Sequence, residues 1–143
     1  MRASEVRAAI GAAIVAITPD VRHGALDTFR QLESPRDPEA TASRVFRVSL
    51  VEVPITDDQI NTCDMKRGTW QVSVYYPWTP DLDDRIANDA ERIEAALSED
   101  ALVARDADFT HVAVTPAGVD EQAALVTARY AVLVHYRCSE VLS

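Results

Sequence analysis

Glycine is scarce in this sequence: Gly11, Gly24, Gly68 and Gly118 are the only four, and no two are close. A phosphate-cradling loop and a dinucleotide fingerprint both need clustered glycines, so neither can be built. No Gly-x-Ser-x-Gly elbow is present either. Cysteine is scarcer still. Cys63 and Cys138 are far apart, form no CxxC pair and make no disulfide framework. Cations are outnumbered, with 14 Lys and Arg against 23 Asp and Glu, a formal net charge of −9. Phosphate binding is driven by Lys and Arg displacing counterions, so this balance argues against a nucleic-acid clamp and against an anionic membrane surface. No apolar run approaches the length of a membrane span. The leading "MRASEVRAAIGAAIVAITPD" has a short apolar run broken by Glu5 and Arg7, which makes a poor signal peptide. Synthesis in a reducing cytoplasm is the expectation.

What is present is an ordinary globular composition, 48% apolar and 26% charged. A chain of 143 residues predicts one domain, 1–143, with enough surface to bury a real core. Val6, Ile10, Ala13, Ile14 and Ile17 recur at helical spacing, and "TPD" at 18–20 ends that helix. Residues 18–43, with Pro19, Pro35 and Pro38, read as a long connection. Within it "ALDTFRQL", 25–32, fits either a helical turn or an edge strand. "RVFRVSLVEVP", 44–54, is a strand in which Phe46, Val48 and Leu50 share one face while Val51 and Val53 have the opposite parity. Either both faces are buried or a bulge near Leu50–Val51 resets the alternation. Residues 55–68 read as a second long connection with Gly68 as its turn residue.

"TWQVSVYYP", 69–77, alternates cleanly, with Trp70, Val72, Val74 and Tyr76 on one side. Thr79 suits an N-cap and Pro80 the first helical position, and Asp81, Asp83 and Asp84 complement the helix dipole. Leu82, Ile86, Ala90, Ile93 and Leu97 form the buried stripe of that helix. After a polar break, "FTHVAVTP", 109–116, is a short strand, and "AGVDEQ", 117–122, is a turn with Gly118 available for a positive φ. "ALVTARYAVLVHYRC", 124–138, is the longest strand. Val126, Ala128, Tyr130, Val132, Val134 and Tyr136 lie on its core side.

The predicted order is α-β-β-α-β-β, an α+β domain with two helices packed on one face of a mainly antiparallel four-stranded sheet. The same order is a circular permutation of the ferredoxin-like arrangement, a fold that hosts many binding modules and enzymes. The opposite face mixes Tyr75, Ala131 and Leu133 with Thr127, Arg129 and His135. Such a face is either solvated or an interaction surface.

Candidate chemistry is thin. Cys63, Cys138 and His135 are the residues for a zinc site, but a spacing of three puts His135 and Cys138 on opposite strand faces, so no metal site is expected. His111 and His135 have the non-core parity of their strands, and neither has an identifiable partner for acid–base work. Dipole compensation accounts for Asp81, Asp83 and Asp84. Asp57, Asp58 and Asp64 in the 55–68 connection add nothing visible to folding and are candidates for a surface facing DNA. Trp70 is a core residue by parity, whereas Trp78 stands between two prolines, where an exposed aromatic can anchor a neighbouring subunit.

Taken together, the leading "SEVRAAIGAAIVAI" helix, "RVFRVSLVEV", "TWQVSVYYP", the "DLDDRIANDAERIEAAL" helix and the closing "LVTARYAVLVHYRC" resemble the tail terminator (tail completion) proteins of long-tailed bacteriophages over most of residues 1–138. The resemblance implies a structural virion protein and no enzymatic activity, catalytic residue or cofactor. It implies a homohexameric ring, assembled in the bacterial host cytoplasm, that caps the tail tube protein, halts tube polymerisation and receives the head–tail connector or neck protein. DNA would pass through without specific binding, repelled by an acidic lining for which Asp57, Asp58 and Asp64 are the candidates. Trp78, Tyr75, Leu133 and Arg129 are the candidate subunit-interface residues. Two alternatives stand beside it: a small permuted ferredoxin-like binding module or enzyme, and an equivalent subunit of a tail-derived injection device or gene transfer agent.

Overall fold

The two best-patterned strands of the sequence become neighbours at the centre of the sheet in a computed structural model, which describes residues 1–19, 28–32, 43–56, 65–122 and 125–138. In chain order the elements are α1 (Ala3–Val15), β1 (Arg30–Gln31), β2 (Val45–Thr56), β3 (Met65–Pro77), α2 (Leu82–Ala96), α3 (Glu99–Arg105), β4 (Phe109–Gln122) and β5 (Leu125–Arg137). The strands form one five-stranded sheet in the order β1-β2-β3-β5-β4. All neighbours are antiparallel except β1 and β2, which run parallel.

The expectation of four strands and two helices is therefore corrected to a mixed five-stranded sheet with three helices. The extra strand is the edge strand allowed for within 25–32. A two-residue strand has no period to read, and it is held by long-range bonds: Arg30 N donates to Arg44 O at 3.1 Å and Leu32 N to Phe46 O at 2.8 Å. The extra helix, α3, lies in what reads as a polar break. Ser98 caps it, its hydroxyl accepting from Ala101 N at 3.3 Å, and Leu102 alone is buried.

Several boundaries move for local reasons. β3 begins at Met65, so Gly68 lies inside a strand and not at a turn. A Cβ on Gly68 would come within 2.9 Å of the Trp70 ring and 3.1 Å of Pro54, so the missing side chain makes room for both. β4 continues to Gln122, and Gly118, with φ +108°, sits at a register shift beside Pro116, where a bulge takes the place of the expected turn. β2 does carry the bulge that its parity change suggests, between Leu50 and Glu52, and a second shift before Ile55. The N-cap of α2 is Asp81, two residues later than expected. Thr79 and Pro80 form the turn before it, with Thr79 Oγ1 donating to Asp81 Oδ1 at 2.8 Å.

All three helices lie on one face of the sheet and share one core with it. Val6, Ile10 and Ile14 of α1, Ile93 of α2 and Leu102 of α3 close over Trp70, Val72, Val74, Tyr130, Val132 and Val134. Each such side chain contributes about 1.5–3 kcal/mol when fully buried. Trp70 and Tyr136 meet edge to face at 6.3 Å.

Within this core lies a polar cluster. Asp89 of α2 is fully buried and takes a fork from Arg44, Nε to Oδ2 at 2.8 Å and Nη2 to Oδ1 at 3.1 Å. Tyr76 donates to the same Oδ2 at 2.9 Å. Arg44 is itself 1% exposed, stacks on Phe29 at 5.8 Å and adopts φ +59°. That left-handed backbone costs about 1–2 kcal/mol for a residue with a Cβ. The bonds at both ends of Arg44 overdetermine it: its N donates to Tyr75 O, its O accepts from Arg30, and its guanidinium is clamped. Burial, then the Asp89 charge, pushes the Tyr76 phenol well up, and the same causes in the same order raise Tyr130.

Candidate assembly surfaces

The sheet face away from the helices has no helix or strand over it among the described residues. Its residues follow from register. Arg47, Ser73, Arg129 and Gly118 make one row across β2, β3, β5 and β4. Ser49, Gln71, Ala131 and Thr115 make the next, and Thr69, Leu133 and Ala113 the one after. Ile55, Arg67, His135 and His111 make the last. Most of these side chains are half-buried, as expected for a flat surface of small and long residues interleaved. At its β1 end Leu32 and Val45 are buried.

Three of the four candidate interface residues come together here. Tyr75, Leu133 and Arg129 all stand on the open face, and Arg129 pairs with Asp120. Trp78 does not join them. It is 60% exposed at the corner between β3 and α2, and borders a groove of about 310 Å³ shared with Leu82, Val119 and Val126. Asp57, Asp58 and Asp64, the candidate lumen residues, lie outside the described residues, as does Cys63.

A further surface was hidden in the sequence by its broken alternation. β1 covers the outer edge of β2 at Val45 and Phe46, and Arg7 Nε donates to Val48 O at 2.9 Å. Beyond that point, among the described residues, no strand covers this edge. There Leu50, Val51, Val53 and Ile55 are 48, 57, 73 and 54% exposed. Two register shifts and Pro54 interrupt the same stretch. Bulges and proline spoil an edge as a template for strand addition. The segment therefore offers apolar side chains while its backbone resists pairing. Ile55, in register with Arg67, makes this ridge continuous with the open face. The sequence signal was the parity change at Val51 and Val53, which reads as burial on both faces until the edge is seen to be uncovered.

The histidines are neighbours. His111 and His135 face each other across β4 and β5, ring centroids 5.3 Å apart and nearly perpendicular. His111 Nδ1 is 2.8 Å from Glu99 Oε1, which also accepts from Val112 N at 3.3 Å. Glu99 thus ties α3 to the outer edge of β4. Neither histidine lines the Trp78 groove, the groove of about 400 Å³ beside Val53, Pro54, Lys66 and Cys138, or the one of about 340 Å³ among the helices. Among the described residues no group of three or more His, Cys, Asp or Glu is placed to hold a metal ion. No helix among them is long and apolar enough to cross a membrane. No protein-family model and no curated protein matches this chain.

Proposed function

We propose that this chain is a structural ring subunit of the tail-terminator kind, one that ends a phage tail tube and presents a surface to the head connector. The observation that carries the reading is the ridge on β2. Four large apolar side chains, Leu50, Val51, Val53 and Ile55, are exposed along one short edge segment whose backbone is unsuited to strand pairing, Leu50 in register with Trp70 on the helix side and Ile55 in register with Arg67 on the open face. Apolar side chains concentrated along an uncovered edge are the kind of surface that a protein interface buries. The open sheet face beside it supports the same reading, because it supplies a broad, flat surface of small side chains next to the ridge. The net charge of −9 on each copy suits a ring through which a polyanion slides without sticking. A subunit of a tail-derived injection device has the same physical task and the same surface requirements.

The test is the assembly state. Sedimentation velocity and negative-stain electron microscopy of the purified protein are expected to give rings with an axial hole, and added tail tubes are expected to carry the rings at one end. Val53→Asp, on a side chain that is 73% exposed, is expected to abolish the rings while leaving circular dichroism and thermal stability unchanged. A wild-type protein that stays monomeric at high concentration and ignores tail tubes would refute the reading.

A further inference from the structure

Charge is distributed unevenly between the two layers of the fold. Among the described residues the open sheet face carries Arg47, Arg67 and Arg129 in register, with His111 and His135 at the β4 end. The acids in register on that face are Glu52 and Asp120. Asp120 is engaged with Arg129, and neither Arg47 nor Arg67 has an ion-pair partner among the described residues. Among the described residues, cations thus outnumber acids in register on this face, although the chain is acidic overall.

The helix layer is the reverse. Asp84, Ala87, Asn88, Glu91 and Ala95 are all exposed and recur at helical spacing, forming one solvent-facing stripe on α2, with exposed Asp83 beside it. The two basic residues of α2 are turned away from it. Arg85 is buried, and Arg92 is drawn to Thr18 O at 3.1 Å. Dipole compensation accounts for Asp83 and Asp84 in the first turn, but Glu91 lies well beyond it.

The spacings of the two surfaces agree. Asp84 and Glu91 are seven residues apart, about 10.5 Å along a helix axis. Arg47 and Arg129 flank Ser73 in one row, two strand spacings apart, about 9.6 Å. A helix laid across the strands at that row would set one carboxylate on the Arg47 guanidinium and the other beside Arg129, which already pairs with Asp120. Between the cations lies Ser73, with Gln71 and Ala131 in the next row; between the acids lie Ala87 and Asn88. The middle of the contact is Ser73 on one surface and Ala87 and Asn88 on the other, with Tyr75 flanking Ser73 in the row on its other side.

We infer that the open sheet face of one subunit receives the acidic outer stripe of α2 from the next copy of this chain; this rests on the ring reading above and names the contact that builds it. The two surfaces are unlike and lie on opposite layers of the same subunit. The contact is therefore heterologous, head to tail, which is the kind that closes into a ring. Ile55 of β2, in register with Arg67, borders the receiving face and supplies an apolar part of the joint.

A charge-swap experiment on the full chain tests this. A sheet variant, Arg47→Glu with Arg129→Glu, and a helix variant, Asp84→Lys with Glu91→Lys, are each checked for native circular dichroism and then run by sedimentation velocity. Each alone is expected to weaken subunit association by roughly a hundredfold or more, because like charges are brought together. An equimolar mixture is expected to regain the ring, since every contact is again between opposite charges. Rings that persist in either folded variant, or a mixture of folded variants that fails to reassemble, would overturn the assigned contact and leave the ring reading standing. A monomeric wild-type protein would overturn both. If a reversal variant does not fold, the neutral pairs Arg47→Gln/Arg129→Gln and Asp84→Asn/Glu91→Gln replace it, and rings as resistant to salt as the wild type refute the contact. Fluorescence anisotropy with a short DNA duplex at low salt provides the last arm. Duplex binding that is lost in the sheet variant while its rings survive would assign the face to nucleic acid and overturn the proposal.

Discussion

Replacing Asp89 by alanine is the most informative single perturbation of this fold. The side chain is 0% exposed and accepts three hydrogen bonds, two from Arg44 and one from Tyr76. Truncation takes the Asp89 carboxylate away from the Arg44 guanidinium, itself 1% exposed, and from the Tyr76 hydroxyl that donates to it. Removing one partner of a buried ion pair costs about 3–5 kcal/mol. For a domain near this size each kcal/mol lowers Tm by about 2–4 °C, so a drop of about 10–15 °C is expected. That is a large share of the roughly 5–15 kcal/mol that holds an ordinary domain together. Urea unfolding followed by far-ultraviolet circular dichroism measures it, with the m-value confirming an unchanged unfolding transition. The double variant Arg44→Met/Asp89→Leu separates the cost of an orphaned charge from the worth of the pair. It is expected to recover most of the loss, because apolar residues of similar size replace buried ion pairs at little cost. A loss below about 1 kcal/mol for Asp89→Ala would mean that the carboxylate is solvated and the buried cluster is misdescribed.

Gly68→Ala is expected to cost about 1–3 kcal/mol in the same urea assay, because the new methyl meets the Trp70 ring and Pro54 closer than packed atoms sit; an unchanged midpoint would show that β2 and Trp70 yield freely. Spectrophotometric titration tests the tyrosines. Tyr76 and Tyr130 are raised by burial and then by Asp89, so both are expected to stay protonated through the ordinary phenol range near pH 10 and to ionise only as the protein unfolds in alkali. Because their folded values lie above the unfolded ones, the stability they contribute is present below about pH 10 and is lost as pH rises from there toward the folded values. A full four-tyrosine absorbance change at pH 10–11 in a still-folded protein would contradict this.

The cores of β3 and β5 were legible because a strand buried on one face writes its burial as alternation, which β5 obeys through Tyr136 and β3 obeys from Gly68 on apart from the buried Ser73. The stripes of α1 and α2 were legible for the same kind of reason. Asp89 and Arg85 were not, although they sit on the buried side of α2. A buried charge depends on a partner distant in the chain, here Arg44, and periodicity reads them as solvent-facing. β1 escaped because its pairing is long-range, and α3 because one buried leucine is too little pattern, even though Ser98, Glu99 and Asp100 are ordinary helix-start residues. Pro116 and Gly118 read as a turn because bulges and turns use the same residues. Of the candidate interface, Tyr75, Leu133 and Arg129 share a face that alternation alone supplied. Trp78 was read as an exposed corner residue between two prolines, and it stands at the corner between β3 and α2.

Pro54 and the two bulges of β2 also bear on how such a subunit behaves before it meets its partners. In a ring subunit as proposed above, an edge that other chains could extend would let newly made copies grow into endless ribbons. An edge that cannot be extended keeps them apart, so stickiness resides in side chains whose geometry must match a specific neighbour. On that proposal loose copies stay apart, and the number that gathers is set by the shape of the joint and not by supply.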